Sequence, residues 1–394
     1  MNGWIRLPLS QLASRISDGS HNPPKGVEMS EFLMLSAKNV FDGQLSFDTP
    51  RYLSATDFMA EHRRTNIAAG DVLLTIVGTI GRTAVVPADT PTFTLQRSVA
   101  VIKPDTSVID PRFLMFALMS GSELLNSQAR GVAQKGIYLE ALRAFSINHP
   151  ALLQQRRIVA ILDEAFEGIA TAKANAEKNL QNARAIFDAR LQYIYFTNRT
   201  ETVETTLGAV YDVRDGTHDS PKYHDKGFPL ITSKNLKRDG LDFDNVRFIS
   251  EVDYKKINTR SAVHRGDVLF AMIGTIGNPT VVEIDPQFSI KNVALFKVAN
   301  GQSGHFLRYY LSSQMVIEKM RKDAKGTTQK FVGLGYLREF PIALPPAAAQ
   351  SDIVAELDGL LGHTDRLEEI YTQKIAALDE LKKSLLHQAF SGRL

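Results

Sequence analysis

The chain of 394 residues contains no cysteine. This absence excludes disulfide scaffolds, cysteine-ligated zinc, iron–sulfur clusters and thiol nucleophiles, and it predicts a reducing compartment, the cytoplasm. The N-terminus lacks the basic and apolar regions of a signal peptide, and no run approaches about 18 apolar residues, so we expect no membrane association. The formal net charge is only +3. A polyanion would therefore have to be bound by Lys and Arg side chains gathered on one face.

Motifs for catalysis and cofactor binding are also missing. The sequence has no G-x-x-x-x-G-K-[ST], no G-x-G-x-x-G and no G-x-S-x-G, and none of its nine histidines forms H-E-x-x-H or another i, i+4 metal pair. Nucleotide sites, serine nucleophiles and zinc sites of these types therefore lack support. We expect no catalytic residue, no metal site and no cofactor bound by this chain.

The sequence instead contains an internal repeat. DGSH at 18–21 returns as DGTH at 215–218, and GDVLLTIVGTIG at 70–81 returns as GDVLFAMIGTIG at 266–277. The segment 131–150 likewise matches 326–345. The period of about 196 residues is far longer than that of solenoid repeats, so each copy is a domain-sized module.

Each copy divides into two parts by composition. The first part carries most of the glycine and proline, with short apolar runs such as 72–77 and 268–273 that predict buried strands closed by turns. The second part has no proline after its start and almost no glycine, which predicts one long helix. The predicted fold class is α/β (α+β), with two mixed modules separated by two long antiparallel helices that form a coiled coil. The predicted segments are a first recognition domain at 1–150, a helix at 151–202, a second recognition domain at 203–345 and a helix at 346–394.

The long segments show apolar heptads with polar interruptions, typical of a helix-pairing seam. A helix of this length cannot bury its apolar stripe on its own module, so we expect the two helices to pair antiparallel. The residues predicted for this role are Val159, Leu162, Phe166, Ile169, Leu180, Phe187, Val354, Leu357, Leu361, Tyr371, Ile375 and Leu378.

Recurring cations and hydroxyls predict a shared anion-facing surface in the two copies. Cations joined to amides or hydroxyls suit contacts with phosphates and base edges, although a turn in which the DG[ST]H side chains cap their own backbone remains an alternative. The matching pairs are Lys38-Asn39 with Lys234-Asn235, Arg97-Ser98 with Lys291-Asn292, and Gln134-Lys135 with Gln329-Lys330. The predicted DNA-contacting residues are Ser20, His21, Lys25, Lys38, Arg97, Lys135, Thr217, His218, Lys222, Lys234, Lys291 and Lys330.

Two sequence features point weakly towards enzymes. The run Asn-Pro-Pro-Lys at 22–25 is similar to the Asn-Pro-Pro-aromatic loop of amino-methyltransferases, but lysine replaces the aromatic residue that stacks on a flipped base. Glu251, Asp253 and Lys255 have a loosely nuclease-like spacing, which a solvated charge run also explains. Between the repeated motifs the copies diverge, for instance at 50–64 against 245–260, as expected for modules that recognise different targets.

Taken together, these strings resemble the specificity subunit of type I restriction-modification systems. The segments on which this resemblance rests are DGTHDSPKYHDKGFPLITSKN (215–235), GDVLFAMIGTIG (266–277), GTTQKFVGLGYLREFPIALPP (326–346), QSDIVAELD (350–358) and LKKSLLHQAFSGRL (381–394). The resemblance implies a non-catalytic protein that reads the two halves of a split site in double-stranded DNA. It also implies, as partners, two methyltransferase subunits that methylate adenine N6 with S-adenosylmethionine and that dock on the paired helices. Through them it implies restriction subunits that use ATP and Mg.

A coiled-coil scaffold that does not read DNA is the alternative from another class. It explains the long helices but not the repeated loops with glycine, proline and lysine. A free-standing methyltransferase or nuclease would need a cofactor or metal site, for which the motifs give no support.

Overall fold

The computed structural model describes residues 3–41, 43–131, 135–197, 201–299 and 301–394. By its internal contacts the chain divides into two compact units, one of residues 1–176 with 373–394 and the other of residues 177–372. The two long helices each contribute one part to each unit.

The first module mixes antiparallel and parallel strands with short helices. Its strands are β1 (Ile5–Pro8), β2 (Ala13–Asp18), β3 (Leu33–Leu35), β4 (Val40–Phe41), β5 (Gln44–Leu45), β6 (Arg51–Tyr52), β7 (Val72–Thr75), β8 (Thr83–Val85), β9 (Phe93–Leu95), β10 (Val99–Pro104) and β11 (Ser146–His149). Its helices are α1 (Leu9–Leu12), α2 (Ala55–Thr65), α3 (Pro111–Ser120), α4 (Ser122–Ser127) and α5 (Leu139–Ala144), and the long helix α6 (Leu152–Gln192) follows.

The second module repeats this series of elements in the same order. Its strands are β12 (Val203–Thr206), β13 (Asp212–Asp215), β14 (Phe228–Ile231), β15 (Leu236–Lys237), β16 (Gly240–Leu241), β17 (Arg247–Ile249), β18 (Val268–Ala271), β19 (Gly277–Val281), β20 (Ser289–Ile290), β21 (Val293–Lys297) and β22 (Pro341–Leu344). Its helices are α7 (Leu207–Val210), α8 (Glu251–Ser261), α9 (Gly304–Ser312), α10 (Gln314–Asp323) and α11 (Leu334–Glu339), followed by α12 (Ala347–Phe390).

The sheets of the two modules have equivalent topology. A four-stranded antiparallel sheet has the order β2-β10-β7-β8 in the first module and β13-β21-β18-β19 in the second. A three-stranded sheet has the order β6-β3-β9 or β17-β14-β20, and its last pair is parallel in both. The predicted mixed fold class and internal repeat are therefore confirmed.

The central strands are shorter than the apolar runs that predicted them. In the first module the run extends to residue 77, but β7 ends at Thr75. The Thr75 hydroxyl accepts a hydrogen bond from the Arg82 backbone N–H at 2.9 Å and donates to the Thr79 carbonyl, which folds the GTIG segment back into a turn. Local side-chain bonding thus ends the strand before the apolar run does.

A buried ion pair fixes the Gly-Asp turn that precedes each central strand. Asp71 accepts a hydrogen bond from the Ala68 N–H at 2.9 Å and pairs with Lys103 at 2.6 Å. In the second module Asp267 makes the equivalent bonds to the His264 N–H at 2.8 Å and to Lys297 at 3.0 Å. Because a buried carboxylate needs such partners, the repeated aspartate has a structural role.

Each long helix is attached to its module by a fully buried glutamine in its first turn. Gln155 accepts from the Asp110 N–H at 2.8 Å and donates to the Pro150 carbonyl at 2.8 Å. Gln350 accepts from the Ser303 N–H at 3.1 Å and donates to the Pro345 carbonyl at 3.1 Å. The helix starts are therefore fixed to the loops before α3 and α9.

Within each unit the parts of α6 and α12 that belong to it pair antiparallel. In the first unit the Lys173 ammonium is 2.7 Å from the Asp379 carboxylate, and Lys382 lies over the Phe166 ring at 4.9 Å. In the second unit Arg184 pairs with Glu368 at 3.0 Å, and Arg190 pairs with Glu356. Polar interruptions of the heptads thus contribute to the pairing by forming ion pairs.

The predicted seam residues all lie on buried or half-buried positions of these helices. Leu162 and Leu357 are fully buried, while Val159 and Ile169 are 8% and 7% exposed. The half-buried members are Phe166, Leu180, Phe187, Val354, Leu361, Tyr371, Ile375 and Leu378. Their role in docking another subunit stays a prediction.

We predict that apolar packing stabilises the helix pair more than its exposed ion pairs do. Leu357→Ala should lower the free energy of unfolding by about 2–5 kcal/mol, because it leaves a cavity in the hydrophobic core of the second unit. Arg184→Ala should cost less than about 1 kcal/mol, because the arginine side chain is 60% exposed. Urea unfolding followed by circular dichroism measures both variants; equal losses would contradict the prediction.

Candidate nucleic-acid interface

The DG[ST]H loop in each module is bonded to the end of a neighbouring strand. The Ser20 N–H donates to the Leu95 carbonyl at 2.7 Å, and the Arg97 N–H donates to the Ser20 carbonyl at 2.8 Å. In the second module the Thr217 N–H donates to the Ile290 carbonyl at 3.0 Å, and the Asn292 N–H donates to the Thr217 carbonyl at 3.2 Å. The loop and the strand end therefore form one continuous edge.

Glycine is required at the second loop position by close approach of the backbones. A Cβ added at Gly19 would overlap the Leu95 carbonyl, and one added at Gly216 would overlap the Ile290 carbonyl. No side chain fits there unless the loop separates from the strand, which explains why the Asp-Gly pair recurs.

A buried aspartate orients the histidine of each loop. Asp18 is 6% exposed; one of its oxygens lies 2.6 Å from the His21 Nε2 and the other 2.9 Å from the Arg64 guanidinium. In the second module Asp215 is 4% exposed, and its carboxylate lies 2.8 Å from the His218 Nε2 and also pairs with Arg260.

These aspartate contacts determine which edge of each imidazole faces outward. Because a carboxylate only accepts hydrogen bonds, it holds the proton on Nε2 of the histidine. The Nδ1 edge of His21 is left for other contacts, whereas that of His218 lies 2.9 Å from the Asn292 side chain; the two histidine side chains are 51% and 56% exposed.

Sequence reasoning missed Arg64 and Arg260, the other partners of the buried aspartates. They come from α2 and α8, in the segments whose sequences diverge between the copies. Both helices are capped by a serine, Ser54 or Ser250, that accepts from the backbone N–H three residues later at 3.1 Å. The pattern of Ser-x-x-Asp followed by an arginine near the helix end was the available signal.

Lys38 and Lys234 are exposed on short 3-10 turns, Ala37–Asn39 and Ser233–Asn235. The asparagines that follow them are buried and unavailable to a base. Asn39 accepts from the Ser36 N–H at 3.0 Å, and Asn235 accepts from the Thr232 N–H at 3.0 Å. The interpretation of each lysine and asparagine as a joint contact is therefore wrong: the amide caps its own turn and the lysine alone faces outward.

The exposed residues Lys135 and Lys330 lie next to the GTIG turns. The Gly78 N–H donates to the Lys135 carbonyl at 3.2 Å, and the Gly274 N–H donates to the Lys330 carbonyl at 2.8 Å. Gln134, the predicted companion of Lys135, lies outside the described residues, whereas Gln329 is exposed beside Gly274.

Backbone bonds join these segments into one edge in the first module. The Ala37 N–H donates to the Ser98 hydroxyl at 3.1 Å, and the Ile76 N–H donates to the Ser98 carbonyl at 2.9 Å. The 3-10 turn, the β9–β10 connection and the GTIG turn therefore meet at Ser98. The edge presents the exposed side chains of His21, Lys38, Arg97 and Lys135.

The remaining predicted lysines have different environments. Lys25 and Lys222 are exposed on the loops after DG[ST]H. Lys291 is half-buried and donates to the Ser220 hydroxyl at 2.6 Å, so it braces the second loop. The Thr217 hydroxyl accepts from the Asp219 N–H at 3.1 Å, so for this residue the turn-capping alternative holds.

Two predictions about this surface are wrong. Ser20 is 3% exposed, so its hydroxyl is not available to DNA in this conformation. Lys291 is not the counterpart of Arg97: the Gln96 N–H and the Lys291 N–H make equivalent bonds to the Leu35 and Ile231 carbonyls, both at 2.9 Å. Asn292 therefore corresponds to Arg97, because the first copy has one additional residue before β10.

The three charged residues with nuclease-like spacing belong to the first turns of α8. Asp253 bonds to the capping Ser250, and Lys255 lies 2.6 Å from the Glu251 carboxylate and lowers its pKa by hydrogen bonding. Within the described ranges no cluster of histidine and acidic side chains could hold a metal ion. No helix in the described part of the chain is long and apolar enough to cross a membrane.

Comparison with known proteins identifies the family. The family described as "Type I restriction modification DNA specificity domain" matches residues 39–181 and 201–377. The chain belongs to this family. The resemblance drawn from the repeated motifs is thus confirmed, and the scaffold alternative is not favoured.

Individual relatives agree with this assignment. The chain is 24% identical over 334 residues to the type I restriction enzyme EcoBI specificity subunit of Escherichia coli, over 76% of this chain and 69% of the relative. It is 22% identical over 191 residues to the EcoKI specificity subunit of Escherichia coli strain K12, over 46% of this chain and 41% of that relative.

Solved structures share the fold at low sequence identity. One, from a study of complex assembly and conformational transition of the type I R-M system, has a TM-score of 0.78 at 20% identity, over 100% of this chain and 99% of the other. The HsdS subunit from Thermoanaerobacter tengcongensis has a TM-score of 0.62 at 20% identity, over 100% of this chain and 98% of the other.

We predict that Asn235 stabilises the second module and that Lys234 does not. Asn235→Ala removes a buried amide that accepts from the Thr232 N–H and donates to the Asp242 carbonyl at 2.9 Å. Each group left unpaired should cost about 1–3 kcal/mol. Lys234→Ala, the matched control, should change stability by less than about 0.5 kcal/mol. Thermal unfolding measures both; an unchanged midpoint for Asn235→Ala would refute the capping role.

We also predict opposite effects of alanine at two glycines. Gly216→Ala should destabilise by about 1–3 kcal/mol, because the added Cβ overlaps the Ile290 carbonyl. Gly362→Ala should stabilise by about 0.5–1 kcal/mol, because it lies within α12 with no atom near the added Cβ. Calorimetry of both variants tests this; equal tolerance would show that the loop is not held against the strand.

Proposed function

We propose that this chain reads a bipartite site in double-stranded DNA, each module binding one half-site through its DG[ST]H edge. The proposal is supported by two observations: a family of DNA specificity domains matches the chain in two segments, and in each copy the DG[ST]H loop is bonded to a strand end, with exposed lysines nearby. Exposed lysines and arginines suit phosphate contacts, while a loop that enters the major groove reads base edges.

The half-site contacts are divided between the copies. In this proposal the first half-site is contacted by His21, Lys25, Lys38, Arg97 and Lys135. The second half-site is contacted by His218, Lys222, Lys234, Asn292 and Lys330, while Lys291 and Thr217 support the loop.

We further propose that the chain is non-catalytic and works in the cytoplasm. Two methyltransferase subunits dock on the surface of the paired helices, and restriction subunits join through them. S-adenosylmethionine, ATP and Mg are used by these partners, and this chain binds none of them.

The first test is to co-express the chain with its adenine methyltransferase subunit and to map N6-methyladenine across the host DNA. We expect a split motif of two short, different half-sites with a spacer of fixed length, because the two copies carry different side chains. A continuous motif, or no motif, would contradict the proposal and favour the scaffold alternative.

A lysine variant then tests the modular assignment. Lys234→Ala should weaken binding to the second half-site only, and should reduce the slope of log affinity against log salt by about 0.9 if one phosphate contact is lost. Lys237→Ala is the charge-matched control, since its ammonium lies 3.7 Å from Asp242. Equal loss at both half-sites would overturn the assignment.

A further inference from the structure

One position in the recognition edge makes the same backbone hydrogen bond in both modules but carries a different side chain. The backbone N–H of Arg97 donates to the carbonyl of the third DG[ST]H residue in the first module, and that of Asn292 does so in the second. The chain thus carries a guanidinium and a carboxamide at the same place in its two modules.

The Asn292 side chain lies beside an anchored histidine, and the Arg97 backbone contacts the loop that carries the equivalent histidine. One end of the Asn292 carboxamide is 2.9 Å from the His218 Nδ1, and the His218 ring is fixed by Asp215. The Arg97 N–H donates to the Ser20 carbonyl of the loop that carries His21, whose imidazole is fixed by Asp18. A base-reading side chain needs such support, because a poorly held side chain does not discriminate between bases.

The backbone at Asn292 also favours this residue over most others. Its φ is 54°, in the left-handed region that asparagine tolerates better than other non-glycine residues. The segment between β20 and β21, which is bonded to the DGTH loop, turns sharply at Asn292, and the Asn292 side chain is half-exposed.

Arginine and asparagine have distinct partners in the major groove. A guanidinium donates two hydrogen bonds to guanine O6 and N7, whereas a carboxamide donates to adenine N7 and accepts from its N6 amine. Both pairings need a planar side chain held at the base edges. They therefore differ from a phosphate contact, for which a point charge is sufficient.

We propose that Arg97 and Asn292 are specificity-determining residues, with Arg97 reading a guanine in the first half-site and Asn292 an adenine in the second. This rests on the proposed function and assigns one base in each half-site to one named side chain. The imidazole of His218 positions the Asn292 side chain.

The test uses the complex of this chain with its methyltransferase subunits and a pool of DNA duplexes with a randomised segment, sequenced after selection. The variants are Arg97→Ala and Asn292→Gly, the latter chosen because glycine adopts the left-handed backbone without strain. Arg97→Ala should reduce discrimination for one guanine of the first half-site by about 10- to 100-fold, the range of a bidentate contact. The second half-site should be unchanged.

Asn292→Gly should have the converse effect. The complex should lose its preference for one adenine in the second half-site, and its preferences in the first half-site should be unchanged. Each variant is therefore the internal control of the other. Arg97→Lys separates base reading from charge, because lysine keeps the cation but loses the planar fork. We expect it to keep the salt dependence of binding and to weaken guanine discrimination less than alanine does, because an ammonium can still donate to guanine.

Two results would overturn the inference while leaving the proposed function standing. One is uniformly weaker binding by Arg97→Ala with both motifs intact, which identifies a phosphate contact. The other is an unchanged motif in both variants. If the unmodified complex selects no split motif, the proposed function fails as well, so the two failures are distinguishable.

Discussion

A buried carboxylate must have its charge compensated, and this requirement organises the recognition edge of each module. Asp18 and Asp215 sit at the ends of their strands and each divides its two oxygens between a histidine of the following loop and an arginine from a helix about 45 residues later. Removing the arginine would leave the carboxylate without its cation, and removing the histidine would leave one carboxylate oxygen without that hydrogen-bond donor. The loop, the helix and the sheet end are therefore held together at one point, and the variable residues around it are supported by a common frame.

The sequence was informative where a single local pattern determines the structure. The repeat, the long helices and the heptad seam follow from composition and periodicity, and the seam positions chosen from the heptads, such as Leu162 and Leu357, lie at buried positions. The sequence was uninformative where two residues that bond to each other are distant in the chain. Nothing in the string DGTH shows that Asp215 bonds to Arg260, and similarity between 50–64 and 245–260 is too low to reveal that both segments form the same helix.

The errors at the candidate site have a common physical origin. An asparagine beside a lysine suggests a polar surface pair, but Asn39 is buried because its amide satisfies backbone groups of a tight turn. Likewise, one additional residue before β10 shifts the alignment of Arg97, and only the backbone bonds restore the correct correspondence with Asn292. Side-chain chemistry can be read from sequence, but whether a polar group faces water or its own backbone depends on turn geometry.

The charge distribution along the helix pair has a consequence for synthesis of the chain. In the ion pairs of Lys173 with Asp379, Arg184 with Glu368 and Arg190 with Glu356, the cations belong to α6 and the carboxylates to α12. During translation α6 is complete before α12 begins at Ala347, and at ribosomal rates the interval is roughly 8 to 30 s. Throughout this interval the apolar stripe of α6 lacks its partner. The carboxylates that pair with Lys173, Arg184 and Arg190 arrive only with α12, so neither apolar packing between the helices nor these ion pairs can hold α6 until the second module has been synthesised.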